Sequence, residues 1–422
     1  MLKRGVPMIE VFGPKELSGE IRVQGAKNST LPLLAAAVIC KGQTILHNCP
    51  ALSDVETAVR ILEHLGCKCQ RSGTTLIVDN KMSCCEIPVD LMQGMRSSIV
   101  FLGALVSRCG EANLYFPGGC EIGLRPIDLH ISSLKKLGVE IQEIGGCLKC
   151  NAPKGIIGNY ISLSLPSVGA TENIMLAAVC SKGTTIIANA ACEPEISDLA
   201  AYLNRCGGRI YGAGENCIII DGVDELHGCE YTIMPDRIVA VTYMAAAAVT
   251  GSDLTIHGVN NAHIRPMLSP FEESGCAIRQ FDESLNIMAP KRLQAVKHIR
   301  TMPYPGFPTD AQPIVMPMAA MGRGTSIFVE NIFENRYKYA EELNRMGANI
   351  RVEGKVAIVE GVEKLTGSHV KSWDLRGGAA LVVASMAAEG RTVINGEEFI
   401  DRGYEKITEN FNLLGADMRR ID

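Results

Sequence analysis

The sequence predicts an α/β protein assembled from six copies of one unit. Three observations point there: two interleaved glycine periods, apolar helical runs, and β-branched runs behind the second set of glycines. In the first period a helix-like segment ends in glycine, at Leu65-Gly66-Cys67, Leu137-Gly138-Val139, Cys206-Gly207-Gly208, Ser274-Gly275-Cys276, Met346-Gly347-Ala348 and Leu414-Gly415-Ala416. Successive glycines stand 72, 69, 68, 72 and 68 residues apart. In the second period a glycine precedes a short β-branched run, at Gly42, Gly110, Gly183, Gly251, Gly324 and Gly390.

Each element has a local cause. Glycine after a helix supplies the left-handed cap that releases the chain. The Val/Ile/Thr-rich run that follows reads as a strand. A unit of about 70 residues therefore carries two helices and several strands. The runs Leu33–Cys40, Ile99–Val106, Ile174–Cys180, Val239–Val249 and Leu381–Ala388 are apolar on every face, which predicts helices buried all round. Six units divide most simply into two three-unit domains, with a crossing point at Pro235-Asp236. The period alone leaves open whether the product is a closed enzyme or an elongated scaffold.

Composition narrows the class. The chain has 422 residues, 47% apolar and 21% charged, which is globular and long enough for two or three cores. A net charge of −5 argues against a general polyanion binder, so no nucleic-acid partner is expected. The apolar stretches Leu31–Cys40 and Val239–Val249 fall short of the roughly 20 residues of a membrane span, so no membrane partner is expected either. The start, Met1-Leu2-Lys3-Arg4-Gly5, is basic, but no apolar signal core follows before Pro14. Sixteen cysteines then read as reduced thiols in a cytoplasmic protein.

Cations recur where helix N-termini are expected. Lys27 stands in Lys27-Asn28-Ser29 ahead of a helix with Pro32 in its first turn. Arg96 precedes an apolar run, Arg125-Pro126 opens a helix through Leu134, and Arg237, Arg376 and Arg402 follow Asp236, Asp374-Leu375 and Asp401. A cation there is unfavourable by roughly 0.3–1 kcal/mol unless an anion compensates. One such case is a solvated side chain, but six point to an anion site for carboxylate or phosphate oxygens. No Walker loop occurs, and Gly212-Ala213-Gly214 lacks the third glycine of a dinucleotide fingerprint.

One thiol stands apart. Cys120 lies in Pro117-Gly118-Gly119-Cys120-Glu121-Ile122-Gly123-Leu124-Arg125, a glycine-rich loop before a helix with arginine at its start. Nearby guanidinium and a helix N-terminus favour a reactive thiol. Cys147-Leu148-Lys149-Cys150, Cys67/Cys69 and Cys84/Cys85 read as strand residues, and with no second zinc-type pair and no H-x-x-x-H neither metal nor cofactor is expected. Asp310, after the proline-stiffened Met302–Thr309 segment, reads either as a helix cap or as an acid–base group. Asp374 and Asp401 serve equally as ion-pair caps for Arg376 and Arg402.

These motifs resemble a known family. Gly25-Ala26-Lys27-Asn28-Ser29, the Pro117–His130 segment, Phe307-Pro308-Thr309-Asp310, Phe333-Glu334-Asn335-Arg336, Asp374-Leu375-Arg376 and Asp401-Arg402-Gly403-Tyr404-Glu405 are similar to those of the bacterial UDP-N-acetylglucosamine 1-carboxyvinyltransferases, enolpyruvyl transferases. The likeness runs through essentially the whole chain, and the cysteine-loop motif is long. The resemblance implies an inside-out α/β barrel of two domains, each of three βαβαββ repeats. Residues 27–234 would carry repeats 1–3 and the cysteine loop, and residues 1–26 with 235–422 repeats 4–6, joined by a double hinge.

The resemblance also implies the chemistry. Enolpyruvate passes from phosphoenolpyruvate to the 3-hydroxyl of UDP-N-acetylglucosamine through a tetrahedral intermediate with loss of phosphate. That is the first committed step of peptidoglycan synthesis, hence of cell-wall biogenesis, cell shape and division. Lys27, Asn28, Cys120, Arg125 and Arg402 are implied to bind phosphoenolpyruvate. Asn28, Arg96, Arg125, Pro126, Ile127, Asp128, Leu129, Asp310 and Ile332 are implied to hold the sugar nucleotide. Cys120 is the implied general acid, Asp310 the acceptor of the 3-hydroxyl proton, Lys27 and Arg402 stabilise developing charge, and Asp374 and Arg376 support the site.

Two departures mark this chain within the resemblance. Some members carry Asp in place of the loop cysteine, whereas Cys120 implies inactivation by the thiol-reactive epoxide fosfomycin. Gly377-Gly378 stands where some relatives have Ala and Ser. Two rivals remain open at this point: an enzyme like 5-enolpyruvylshikimate-3-phosphate synthase, and a non-catalytic repeat scaffold.

Overall fold

All twelve glycines of the two periods have positive φ, from 65° at Gly251 to 114° at Gly324. The chain is described by a computed structural model over residues 7–117 and 127–421. The first six glycines follow the helices Ser53–His64, Asp128–Lys136, Pro194–Arg205, Ser269–Glu273, Lys338–Arg345 and Ile407–Leu413. After each, the next residue's N–H reaches back to the last turn, as in Cys67 to the Leu62 carbonyl (2.9 Å), Gly208 to Leu203 (2.9 Å) and Ala416 to Phe411 (3.0 Å). That bond closes a Schellman cap, which needs the left-handed residue glycine provides without a Cβ penalty.

The glycines punctuate six four-stranded sheets. Each sheet runs parallel between its first two strands and antiparallel thereafter. The order in one of them is Tyr160–Ser162, Thr184–Ala188, Cys217–Asp221, Ile210–Tyr211. Together with the intervening helices this is the βαβαββ unit, repeated six times.

Two compact units result. One comprises residues 25–117 and 127–234, the other residues 7–24 and 235–421, and the chain passes from one to the other at Gln24/Gly25 and Met234/Pro235. Each closes its sheets with a strand from a distant part of the chain. In the first, Glu230–Thr232 returns to pair with Gly42–His47. In the second, Ser18–Arg22 joins Asp253–His257, and Met8–Gly13 lies between Gly390–Asn395 and Met418–Ile421. The repeat period does not reveal this permutation, because both N-terminal strands lie ahead of the first period.

At the centre of each unit stand three helices. We label them α1 (Lys27–Ala37), α2 (Phe101–Cys109), α3 (Val168–Ala178), α4 (Arg237–Thr250), α5 (Gln312–Met321) and α6 (Leu375–Ala387). In α1 every residue except Asn28 is buried, and in α4 every residue except Thr250. The helices pack on one another, α2 on α3 and α4 on α5 and α6, while the sheets surround them with one alternating face inward. This inside-out layering explains why the inner helices lack a polar face: they have no solvent side. Each unit has its own apolar core. Among the described residues no helix is long and apolar enough to cross a membrane.

Candidate functional site

In each unit some of the candidate residues stand at the N-terminal ends of the inner helices. In the first unit Lys27 is the first residue of α1 and is buried, with its Nζ 2.8 Å from Asp54 Oδ2. Its helix has no side-chain cap, since the N-cap residue is Ala26. A cation against the positive end of a helix needs a compensating anion, and Asp54, in the first turn of Ser53–His64, provides one. Asn28 beside it is half-buried, the single residue of α1 not enclosed in the core.

Arg96 opens the 3₁₀ turn Arg96–Val100 that leads into α2 and is half-buried. Ile127 is the N-cap of Asp128–Lys136, with Asp128 exposed and Leu129 half-buried. That helix is anchored through His130, whose Nδ1 lies 2.7 Å from the Asn173 amide nitrogen. Asn173 also donates to the Ile99 carbonyl (3.0 Å) and accepts from Gly103 N–H (2.7 Å), tying α3 to the start of α2. Burial holds the His130 imidazole down at about 4, against a partial counter-effect of Asp128, so it is neutral near pH 7. Cys120, Arg125 and Pro126 lie outside the described residues.

In the second unit a carboxylate is clamped by two buried arginines. Asp310 Oδ1 is 3.2 Å from Arg336 Nη2, and Asp310 Oδ2 is 3.3 Å from Arg376 Nε. The arginine side chains are 1% and 2% exposed, the carboxylate 29%. Arg336 also donates from Nε (3.2 Å) and Nη2 (2.9 Å) to the Thr309 carbonyl, fixing the residue before Asp310. Asp374 caps α6, accepting from the N–H groups of Arg376 and Gly377 at 3.0 Å each, and faces Arg336 Nη1 at 3.6 Å.

The Arg376 guanidinium lies over the Tyr404 ring, 5.3 Å from its centroid. Burial works against its charge, but Tyr404, Asp310 and Asp236 more than offset this, and the group sits above arginine's ordinary value. Arg336 and Arg376 thus hold Asp310 so that one edge of its carboxylate meets solvent. Such an anchored carboxylate can accept a proton from a bound hydroxyl without being free to rotate away.

The structure corrects three local expectations. Asp310 is not a helix cap: the N-cap of α5 is Ala311, with no side-chain bond, and the carboxylate turns to the arginines instead. Arg402 does not open a helix; it lies in the turn after Glu397–Ile400, half-buried. Nor does Asp401 cap Arg402, because its oxygens take the Arg420 fork at 2.6 and 2.9 Å.

Sequence reasoning missed Glu330, although its position at the end of a β-branched run was a signal. It is 1% exposed. Its Oε1 accepts from Thr301 Oγ1 (2.9 Å), Ile332 N–H (2.7 Å) and Phe333 N–H (3.1 Å), and its Oε2 accepts from Thr309 Oγ1 (3.0 Å). One buried carboxylate thus sets the loops that carry Ile332, which is 37% exposed, and Asp310. Arg336 was quoted in a motif without a role, and Asn173 was not singled out. Among the described residues no group of three or more His, Cys, Asp or Glu side chains is placed to hold a metal ion.

Comparison with known proteins shows what the chain as a whole is similar to. The profile of the family described as EPSP synthase (3-phosphoshikimate 1-carboxyvinyltransferase) matches residues 11–411. The chain is 52% identical to UDP-N-acetylglucosamine 1-carboxyvinyltransferase 2 of Caldanaerobacter subterraneus subsp. tengcongensis, over 98% of this chain and 99% of that one. It is 46% identical to UDP-N-acetylglucosamine 1-carboxyvinyltransferase 1 of Symbiobacterium thermophilum, over 97% and 94% of the two chains. Among solved structures, the enolpyruvyl transferase NikO from Streptomyces tendae superposes with a TM-score of 0.90 at 25% identity, covering 99% of each chain. EPSP synthase from Acinetobacter baumannii shares the fold at a TM-score of 0.79 and 18% identity, over 99% of this chain and 100% of that one.

Proposed function

The chain belongs to the EPSP synthase family and, within it, to the UDP-N-acetylglucosamine 1-carboxyvinyltransferases, and from that premise we propose that it moves the enolpyruvyl group of phosphoenolpyruvate onto the 3-hydroxyl of UDP-N-acetylglucosamine, with release of phosphate. The near end-to-end likeness to proteins of that name carries the reading. The clamped Asp310 supports it, because adding a hydroxyl to an enol phosphate is helped by a fixed proton acceptor beside the attacking oxygen.

Each residue then has a task. Asp310 takes the proton of the 3-hydroxyl as its oxygen attacks C2 of phosphoenolpyruvate, and Cys120 protonates the methylene carbon. Lys27, Arg125 and Arg402, with Asn28, hold the carboxylate and phosphate and stabilise the tetrahedral intermediate. Asn28, Arg96, Ile127, Asp128, Leu129, Asp310 and Ile332, with Arg125 and Pro126, bind the sugar nucleotide. Asp374 and Arg376 keep Asp310 in place. The Cys120 thiolate left by that protonation takes a proton back from the methyl carbon as the phosphate leaves, which restores the vinyl group. The product feeds peptidoglycan synthesis in the cytoplasm, and fosfomycin blocks the enzyme by alkylating Cys120.

A second reading is favoured by the name of the matching family profile: the acceptor is shikimate 3-phosphate. Phosphate release from phosphoenolpyruvate decides between them. Release is expected with UDP-N-acetylglucosamine and not with shikimate 3-phosphate, and the opposite pattern would reverse the assignment.

A further inference from the structure

Two thiols meet at the point where the first unit closes on itself. Cys206 ends the helix Pro194–Arg205 and is fully buried, while Cys229 directly precedes the closing strand Glu230–Thr232 and is half-buried. Their sulfurs are 3.4 Å apart, although the residues are 23 positions apart in the chain. The backbone is already tied at the same place: His227 N–H donates to the Cys206 carbonyl (3.0 Å), and Ile45 N–H donates to the Cys229 carbonyl (2.9 Å). A third thiol, Cys40, lies beside them and contacts Tyr202 Oη at 3.6 Å. Neither Cys206 nor Cys229 has a part in the proposed reaction.

We propose that Cys206 and Cys229 are a latent disulfide that, once formed by a low-molecular-weight disulfide such as glutathione disulfide, staples the closing strand Glu230–Thr232 to the helix Pro194–Arg205. The sulfurs need to approach by only about 1.4 Å to reach bonding distance. The half-buried Cys229 reacts first. Its thiolate attacks one sulfur of the oxidant, the oxidant's S–S bond breaks, and one thiol leaves carrying the proton from Cys229. The Cys206 thiolate then attacks the Cys229 sulfur and expels the second thiol, which takes the proton from Cys206. The protein loses two electrons and the oxidant gains two.

The reaction is slow near neutral pH and faster in base. The Cys229 contact favours the Cys206 thiolate, but Cys40 and burial outweigh it and push the group up to about 12. The hydrogen bond with Cys206 and burial likewise raise Cys229 above the ordinary thiol value. Thiolate is therefore scarce in both, and each step toward alkaline pH releases more of it.

The test uses the full chain, freed of reductant and incubated with glutathione disulfide at about pH 8.5. A non-reducing digest should yield one joined peptide holding Cys206 and Cys229, lighter by about 2 Da than the sum of the two reduced peptides. The urea midpoint of the oxidised protein should rise and fall back on adding dithiothreitol. Cys206→Ser should lose the joined peptide and trap glutathione on Cys229, whereas Cys40→Ser should leave the joined peptide intact. If both thiols of the oxidised wild type remain open to alkylation after unfolding, or Cys40 is the partner found, the pairing is wrong. A joined peptide with an unmoved midpoint would overturn the staple. The wild-type digest decides even if a serine variant fails to fold.

Discussion

Lys27 and Arg376 stand at comparable places, the first turns of the buried inner helices α1 and α6, yet their charges are handled differently. Lys27 faces the Asp54 carboxylate from a neighbouring helix, and its own helix has no side-chain cap. Arg376 belongs to a helix capped by Asp374 and extends to Asp310, with Tyr404 beneath its guanidinium. The difference follows from side-chain chemistry. An ammonium is a point charge that one carboxylate can balance, while a planar guanidinium divides its donors among several acceptors and stacks on a ring. One end therefore holds a cation in place, and the other uses a cation to hold a carboxylate in place.

That contrast is broken most sharply at Asp310. Asp310→Asn keeps the shape and removes the proton acceptor, so kcat should fall by about 10²–10⁴-fold in the phosphate-release assay, while KM for phosphoenolpyruvate moves far less. Arg376→Met should also cut kcat, through a displaced Asp310, and should lower the urea midpoint as well, because it strips a buried cation from its acceptors. Equal turnover in Asp310→Asn and wild type would end the assignment of Asp310 as the base.

At the other end the larger effect should be on stability. Asp54→Asn removes the carboxylate 2.8 Å from the buried Lys27 ammonium, at an expected cost of about 3–5 kcal/mol in urea unfolding. Replacing both residues, as Lys27→Met with Asp54→Leu, should recover most of that loss without restoring activity. A double variant no more stable than Asp54→Asn would show that the pair does more than neutralise a charge.

His130 adds a pH dependence in the same unit. Its folded value of about 4 lies below the unfolded value of about 6.5, so the unfolded chain binds the proton first as pH falls. The associated stability is fully present above about pH 6.5 and is lost progressively toward pH 4, by up to about 3 kcal/mol. Urea midpoints at pH 7 and pH 5 should show the drop, and His130→Asn should flatten it. The expected drop is larger than the experimental scatter of a midpoint, so an identical pH response in the variant would remove His130 from this role.

Much of this was legible in the sequence, because backbone conformation and helix burial are local or periodic properties. The twelve glycines and the apolar runs of five of the six inner helices needed no coordinates. The permuted strand Met8–Gly13 did not show, since pairing partners more than three hundred residues apart leave no short-range pattern. Glu330 and Asn173 were hidden for a related reason. Each is one polar residue at the end or inside of an apolar run, and its value lies entirely in the groups that tertiary packing brings to it. Asp310 was found, but its cap reading failed because two arginines from other segments outbid the helix end.

The smallest expected effect separates the two things a glycine can supply, conformation and space. Gly66 and Gly415 occupy the same place in their units, with φ of 100° and 99°. An alanine Cβ at Gly415 would find its nearest neighbour, the Glu16 carbonyl oxygen, at 3.7 Å, an ordinary contact. At Gly66 it would meet Ser83 Oγ at 2.6 Å and Ser83 N at 3.0 Å. Gly415→Ala should therefore cost only the left-handed strain, about 1–2 kcal/mol. Gly66→Ala should cost more, by the displacement of the Ser83 segment, whose backbone N–H donates to the Leu65 carbonyl (2.9 Å). Urea midpoints of the two variants measure the gap directly. If they coincide, the backbone angle alone accounts for the conserved spacing within this chain, and the close approach at Gly66 is one that the neighbouring loop relaxes at no cost.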